Sequence, residues 1–158
     1  MRSMALNLMM AVIWLFLQPV PSLSGFLLGA LLGFGLLFLF RPILRSEDYV
    51  RRVVAASTFA MVFSREFIVS CAELMYYALC VPVSRLQPEF LIYDISGMTR
   101  MEILLLSHCI SLTPGTNTVD VSQDFNRLYL HVLDCPDAEA VRRKIDLTFK
   151  RGILAFTR

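Results

Sequence analysis

Charge is scarce in this chain, and it is nearly absent from the first quarter. Charged residues make up 18% of the sequence, and residues 3–40, closed by Arg2 and Arg41, contain no Asp, Glu, Lys or Arg. A stretch without ionisable side chains offers no proton relay or cation site of its own, because intramembrane transport depends on such groups. The formal net charge is only +2, too weak for a nucleic-acid surface, so no nucleic-acid partner is expected. No CxxC pair links Cys71, Cys80, Cys109 and Cys135, and with no sign of export the expectation is free thiols rather than disulfides. A glycine-rich phosphate loop, a G-x-G-x-x-G pattern, a Walker sequence and a nucleophile elbow are also missing. The common signatures of nucleotide binding and acyl transfer go with them.

What is present in quantity is apolar surface: 56% of residues are hydrophobic, too many for an ordinary soluble domain. About 20 apolar residues cross a hydrocarbon core, so residues 3–40 have the length for two crossings. Pro19 and Pro21, flanked by Gln18, Ser22 and Ser24, break any helix there and leave backbone groups that need water. The expectation is a transmembrane helical hairpin over 1–40, with spans at about 4–18 and 23–40. A cleaved signal peptide is the competing reading, but Ser22-Leu23-Ser24 is a poor A-x-A site. Gly25, Gly29 and Gly33 recur every four residues in the second span and share one helical face, which permits close approach of another helix. Arg41, Arg45, Arg51 and Arg52 crowd beyond that span while the bend carries no charge. By the positive-inside rule the bend faces out and the remainder lies in the cytosol.

Residues 41–82 read as a basic linker followed by an amphipathic or membrane-associated helix. Within residues 53–81, Arg65, Glu66 and Glu73 make a third crossing expensive, at about 2.5–3.5 kcal/mol for each charge at mid-bilayer. At 100° per residue Ala56, Ala60, Phe63, Phe67, Cys71, Leu74, Ala78 and Val81 share one face, with Glu66, Ser70 and Glu73 on another. An in-plane interfacial helix, or one laid against a partner subunit, is favoured over a crossing. The polar stripe of Arg65, Glu66 and Glu73 is either a membrane-proximal relay or a solvated face, and the solvated face is the preferred reading.

Residues 83–158 have a globular balance and an α+β pattern. Residues 90–95 form a nearly continuous apolar run, as a covered strand does. Thr99 and Glu102 are spaced as a capping box, with Met98 and Ile103 as its staple. Pro114 and Gly115 stop the helix, and alternation in Val119-Asp120-Val121 and in residues 127–132 predicts a hairpin with Leu128, Leu130 and Val132 on one face. Pro136 opens a last helix, with Asp137 and Glu139 at its positive end. Val141, Ile145, Phe149, Ile153 and Phe156 line one side of it and Arg142, Arg143, Lys144, Lys150 and Arg151 the rest. The order is β-α-β-β-α. His108, Cys109, His131 and Cys135 lack the spacing of a zinc site, since adjacent helix residues do not easily face one ion. Neither Ser107 with His108 nor Cys109 with His131 comes with an oxyanion-hole signature. No metal, no cofactor and no enzymatic activity are expected.

The two apolar spans, the basic segment, the polar-striped helix, and the block HCISLTPGTNTVDVSQDFNRLYLHVLD followed by DAEAVRRKI together resemble the E-type subunit of the Mrp-type multisubunit monovalent cation/proton antiporters, called Mnh or Pha in some bacteria. The resemblance covers nearly the whole chain and is sharpest over residues 111–116 and the strands after them. Cys135 departs from it, standing where an acidic or small residue is unsurprising. The resemblance implies a multi-pass protein of the bacterial inner membrane whose partners are the lipid bilayer and the other subunits of the antiporter. Its implied role is structural, with ion paths in the larger subunits and the C-terminal domain in the cytoplasm. Thr113, Pro114, Gly115 and Thr116 form a rigid turn between helix and hairpin, readable as a docking loop with exposed amides and hydroxyls or as a turn that only fixes register. A free-standing, membrane-tethered binding module is the alternative function.

Overall fold

The computed structural model describes residues 2–158, and its contacts divide the chain into two units, Met1–Val54 and Ala55–Arg158. In the first, α1 (Arg2–Phe16) and α2 (Leu23–Leu39) pair, followed by a short α3 (Arg41–Leu44) and the opening turns of α4 (Glu47–Cys80). The Ser22 hydroxyl accepts from Gly25 N at 3.1 Å and caps α2, as serine commonly does at a helix start. The turn begins two residues earlier than the sequence suggests. Proline disfavours the helical conformation in the residue before it, so Pro19 unwinds the chain from Leu17 onward.

The glycines decide how α1 and α2 meet. A Cβ on Gly29 would stand 2.8 Å from Trp14 Cβ and 3.0 Å from the Ala11 backbone, and one on Gly33 would run into the Asn7 side chain. The helix that approaches Gly25, Gly29 and Gly33 is therefore α1 of the same chain, running antiparallel with Leu15, Ala11 and Asn7 opposite them in turn. Asn7 Nδ2 donates to Tyr49 Oη at 2.8 Å, and Tyr49 meets the Phe34 ring edge-on at 6.2 Å. Ser46 Oγ donates to Leu37 O at 2.8 Å, satisfying a carbonyl near the end of α2.

At 1.5 Å per residue α1 and α2 rise about 22 and 26 Å, less than the roughly 30 Å of a hydrocarbon core. Among the described residues α4, with 34 residues, is the one helix long and apolar enough to cross a bilayer by length and composition. Hydropathy and charge along the sequence give the crossings to the first two helices and lay the third in plane. Length alone reverses that ranking.

The second unit holds the rest of α4, a 3-10 turn (Val83–Arg85), β1 (Glu89–Asp94), α5 (Arg100–Leu112), β2 (Thr116–Val121), β3 (Arg127–Val132), α6 (Ala138–Ile145), a π-helical turn (Asp146–Lys150) and α7 (Arg151–Thr157). The three strands form an antiparallel sheet in the order β1-β3-β2, with Leu91 and Thr118 both opposite Leu130 and a bulge between Thr118 and Asp120. Leu91, Tyr93, Leu128, Leu130 and Val132 turn to one face, where Ile103, Leu106, Ile110, Ile145, Phe149 and Ile153 close the core. Burying each such aliphatic side chain contributes about 1.5–3 kcal/mol. The capping box forms: Thr99 Oγ1 accepts from Glu102 N at 3.3 Å and Glu102 Oε2 accepts from Thr99 N at 2.7 Å.

The last helix differs from the expected uninterrupted one. Its N-cap is Asp137, whose Oδ1 accepts from Glu139 N and Ala140 N, and its middle widens into the π turn. Residues four apart drift about 40° per step on a straight α-helix. The wider turn takes up that drift and keeps Ile145, Phe149 and Ile153 all facing the sheet. Both flanking strands are tied to the helices. Arg142 Nε and Lys150 Nζ donate to the β1 carbonyls of Ile92 and Asp94, and Thr118 N of β2 donates to Ser111 Oγ, which covers edges that otherwise invite another strand.

Candidate functional site

Within the second unit, α4 lies on the α/β core with Phe59, Phe63, Glu66 and Ser70 inward. The Phe59 ring meets Phe156 at a tilt with centroids 5.6 Å apart, and Phe63 meets Phe149 likewise at 6.2 Å. One turn further on, Glu66 is 8% exposed and Ser70 2% exposed, and the Glu66 carboxylate is ion-paired with Lys144 of α6. On the opposite side Met61, Ile68, Met75 and Leu79 are all more than half exposed. The expected solvated stripe is thus buried at Glu66, with Ser70 beside it, and exposed at Arg65 and Glu73. The physical reason is Lys144: a buried carboxylate is tolerated when a cation meets it, and the long stem of Lys144 lets its ammonium reach Glu66 while remaining half in solvent. Of the stripe residues, Glu66 faces the core, Glu73 is exposed at the rim, and Arg65 is exposed.

A cleft of about 140 Å³ opens beside this ion pair. Glu66, Ser70, Glu73 and Tyr77 of α4 form one wall, and residues 113–116, Asp134 and Lys144 face them. The structure therefore brings two of the expected sites, the polar stripe and the Thr113-Pro114-Gly115-Thr116 turn, to one place. It leaves Arg65 outside, and Gly25, Gly29 and Gly33 belong to the other unit.

The turn itself is not the display of hydroxyls that the sequence suggests. Thr113 is buried and its Oγ1 donates to Cys109 O at 2.7 Å, while Thr116 Oγ1 donates to Ile110 O at 2.8 Å. Both hydroxyls are spent on the last carbonyls of α5, which have no partner inside the helix. Gly115 has φ +91°, a conformation that side chains disfavour, and its carbonyl accepts from Leu133 N at 2.9 Å. The turn is locked to α5 and to the end of β3, so its rigidity serves the fold first.

Two further ties hold the C-terminal helices in place, and neither is visible in sequence spacing. Glu102, 2% exposed, receives Arg158 Nε at 3.1 Å and Thr157 Oγ1 at 2.8 Å besides its capping-box bond. The Arg158 guanidinium, with the Thr99 and Thr157 donors, pulls its pKa down to about 2. Tyr93 donates to Asp146 in the π turn. Burial and that hydrogen bond push the Tyr93 pKa upward, so it remains a neutral donor. No local motif announces either tie, because the partners come from opposite ends of the domain.

The residues weighed for chemistry have other occupations. Ser107 Oγ and His108 Nδ1 both donate to Leu104 O, at 2.9 and 2.8 Å, and the His131 ring meets Phe90 edge-on at 5.1 Å. Burial raises the pKa of the Cys109 and Cys135 thiols, away from the reactive thiolate. Among the described residues no three His, Cys, Asp or Glu side chains converge as metal ligands do.

The chain matches the family described as MNHE, Na+/H+ ion antiporter subunit, over residues 7–156. It is 36% identical to the E-type Na(+)/H(+) antiporter subunit of Alkalihalophilus pseudofirmus over 97% of this chain and 96% of that one. It is 31% identical to the corresponding E-type subunit of Bacillus subtilis over the same shares. Among solved structures, a chain of the Mrp complex from Dietzia sp. is similar with a TM-score of 0.51 and 21% identity, covering 65% of this chain and 96% of that chain. A chain of the membrane-bound sulfane sulfur reductase, an archaeal respiratory membrane complex, reaches a TM-score of 0.55 at 20% identity over 96% of this chain and 98% of that one. At such identities the two structures speak for the fold.

Proposed function

The chain belongs to the family of Na+/H+ ion antiporter subunits, and from that premise we propose that it anchors and braces a multisubunit antiporter without carrying the ions. Its relatives are the E-type subunits of such antiporters, so its partners are the other antiporter subunits, and the free-standing tethered module is set aside. The observation that carries the scaffold reading is the make-up of α1 and α2. After Arg2 they contain no ionisable side chain, and the contact between them is filled by Ala11, Trp14, Met10 and the glycine faces, with Asn7, among the described residues, as its one buried polar side chain. An ion path needs charged or polar groups along its length.

The hairpin of α1 and α2 sits in the bacterial inner membrane in this reading, with the basic segment from Arg41 to Arg52 on the cytosolic side. Helices a few residues short of the bilayer are accommodated by local thinning and by the turn residues. The α/β domain is cytoplasmic. Residues 59–77 of α4 then run along that domain rather than through the bilayer, because their inward side already carries Glu66 and Ser70 against it. The transported cation is Na+ if the chain follows its relatives, and the residues selecting it lie in other subunits.

Extraction in mild detergent and native sizing test the role. The chain is expected to travel in a large assembly with other antiporter subunits; migration alone would count against it. Topology is tested by Ser84→Cys and Asp124→Cys in a Cys80→Ser background. Neither thiol is expected to react with an impermeant reagent added to intact cells, and labelling from outside would overturn the cytoplasmic placement.

A further inference from the structure

The outward side of α4 carries a stripe of apolar side chains that includes one cation. Met61, Ile68 and Met75 recur at seven-residue intervals with Ala72 and Leu79 on the same face, and Ile68 is 66% and Leu79 78% exposed. Arg65 stands four residues after Met61 and three before Ile68, hence on the same stripe, toward its N-terminal end. It is exposed, and none of the ion pairs or hydrogen bonds within the described residues involves it. A continuous apolar surface of this kind marks a contact rather than a solvated exterior.

The cation discriminates between the two surfaces that accept Met, Ile and Leu. Lipid hydrocarbon takes the aliphatic side chains but penalises a guanidinium held at mid-bilayer depth by about 2.5–3.5 kcal/mol. A protein helix bearing a carboxylate at the same height takes both, and an Arg–carboxylate pair adds a fixed register. We propose that Met61, Arg65, Ile68, Ala72, Met75 and Leu79 of α4 form a docking face for an apolar helix of another antiporter subunit that presents an Asp or Glu opposite Arg65. The inference rests on the membership of the chain in the antiporter complex, and it accounts for the exposed apolar side chains of Met61, Ile68, Met75 and Leu79.

Photo-crosslinking residues placed at Ile68 and Met75, in the whole complex in native membranes, identify the neighbour directly. The expected product joins α4 to a segment of another antiporter subunit that contains a carboxylate. Arg65→Glu is expected to lower recovery of that subunit with this chain roughly tenfold, while Arg65→Lys stays within about twofold of wild type, as for a desolvated interfacial charge pair. Exchanging the charges of Arg65 and its partner restores recovery. Crosslinks to lipid alone or to a second copy of this chain, or undiminished recovery with Arg65→Glu, would overturn the proposal. Failure of the unsubstituted chain to recover any antiporter subunit would instead remove the premise, so the two failures are distinct.

Discussion

The chain packs helices in two ways, and the contrast is the one expected if lipid surrounds the first pair and water the α/β domain, as proposed above. Between α1 and α2 the contact is made by bare glycine backbone that admits the residues of α1: Gly29 admits Trp14 and Ala11, and Gly33 admits Asn7 and Met10. Between α4 and the α6–α7 helices it is made by phenylalanine rings and by the Glu66–Lys144 pair. Where lipid surrounds both helices there is no hydrophobic force to press them together, so close fit supplies the attraction. In the second unit the core-facing residues of α5, α6 and α7 are apolar apart from Glu102, and α4 adds Phe59 and Phe63 to that core beside the buried Glu66 and Ser70.

The largest effect is expected where the first contact is purely geometric. Gly29→Val forces a side chain against the Ala11 backbone, which cannot rotate away, at a cost of about 3 kcal/mol or more. Gly35→Val places its Cβ where nothing lies within 4 Å and is expected to leave the chain intact. Amounts recovered from the membrane distinguish the two, and equal loss for both would dissolve the distinction between the packings.

Next in size is Glu102→Ala, which removes the capping-box carboxylate and leaves the Thr99, Thr157 and Arg158 donors without it; about 2–3 kcal/mol of domain stability should go, read by thermal unfolding in detergent. Because the folded pKa of Glu102 lies near 2, below its ordinary value, its contribution is fully present above the usual carboxylate range. It is lost as pH falls from that range toward 2. The Ala variant should be less acid-sensitive over that interval than the parent, and an unchanged acid profile would contradict the assignment.

Smaller effects sharpen the second packing. A double-mutant cycle of Glu66→Gln with Lys144→Met is expected to show a coupling of about 1 kcal/mol, since Lys144 is half in solvent. Thr116→Val removes the hydroxyl that caps Ile110 O and should cost about 1 kcal/mol, with no loss of partner recovery if the turn serves the fold. Loss of partner subunits without loss of stability would restore the docking reading of that turn.

Local chemistry is readable in the sequence, and mutual orientation is not. The Thr99–Glu102 box, the alternation that buries Leu128, Leu130 and Val132, and the glycine face of α2 are short-range patterns whose physics is complete within a few residues. The inward turn of Glu66 depends on Lys144, and the fixing of Glu102 on Arg158, both far along the chain. A helical wheel separates the sides of α4 but cannot say which meets the core. That helix is apolar nearly all round, so the deciding residue is the distant lysine. The π turn is hidden for a similar reason: the i, i+4 stripe fits a straight helix on paper, and only the demand that three side chains reach one sheet bends the rule.

The most direct test of the scaffold role is transport by purified proteins in sealed vesicles under an imposed Na+ gradient. This chain alone should produce no change in internal pH, and the complete assembly should produce one. A cation-driven pH change from the isolated chain would contradict the account at its root.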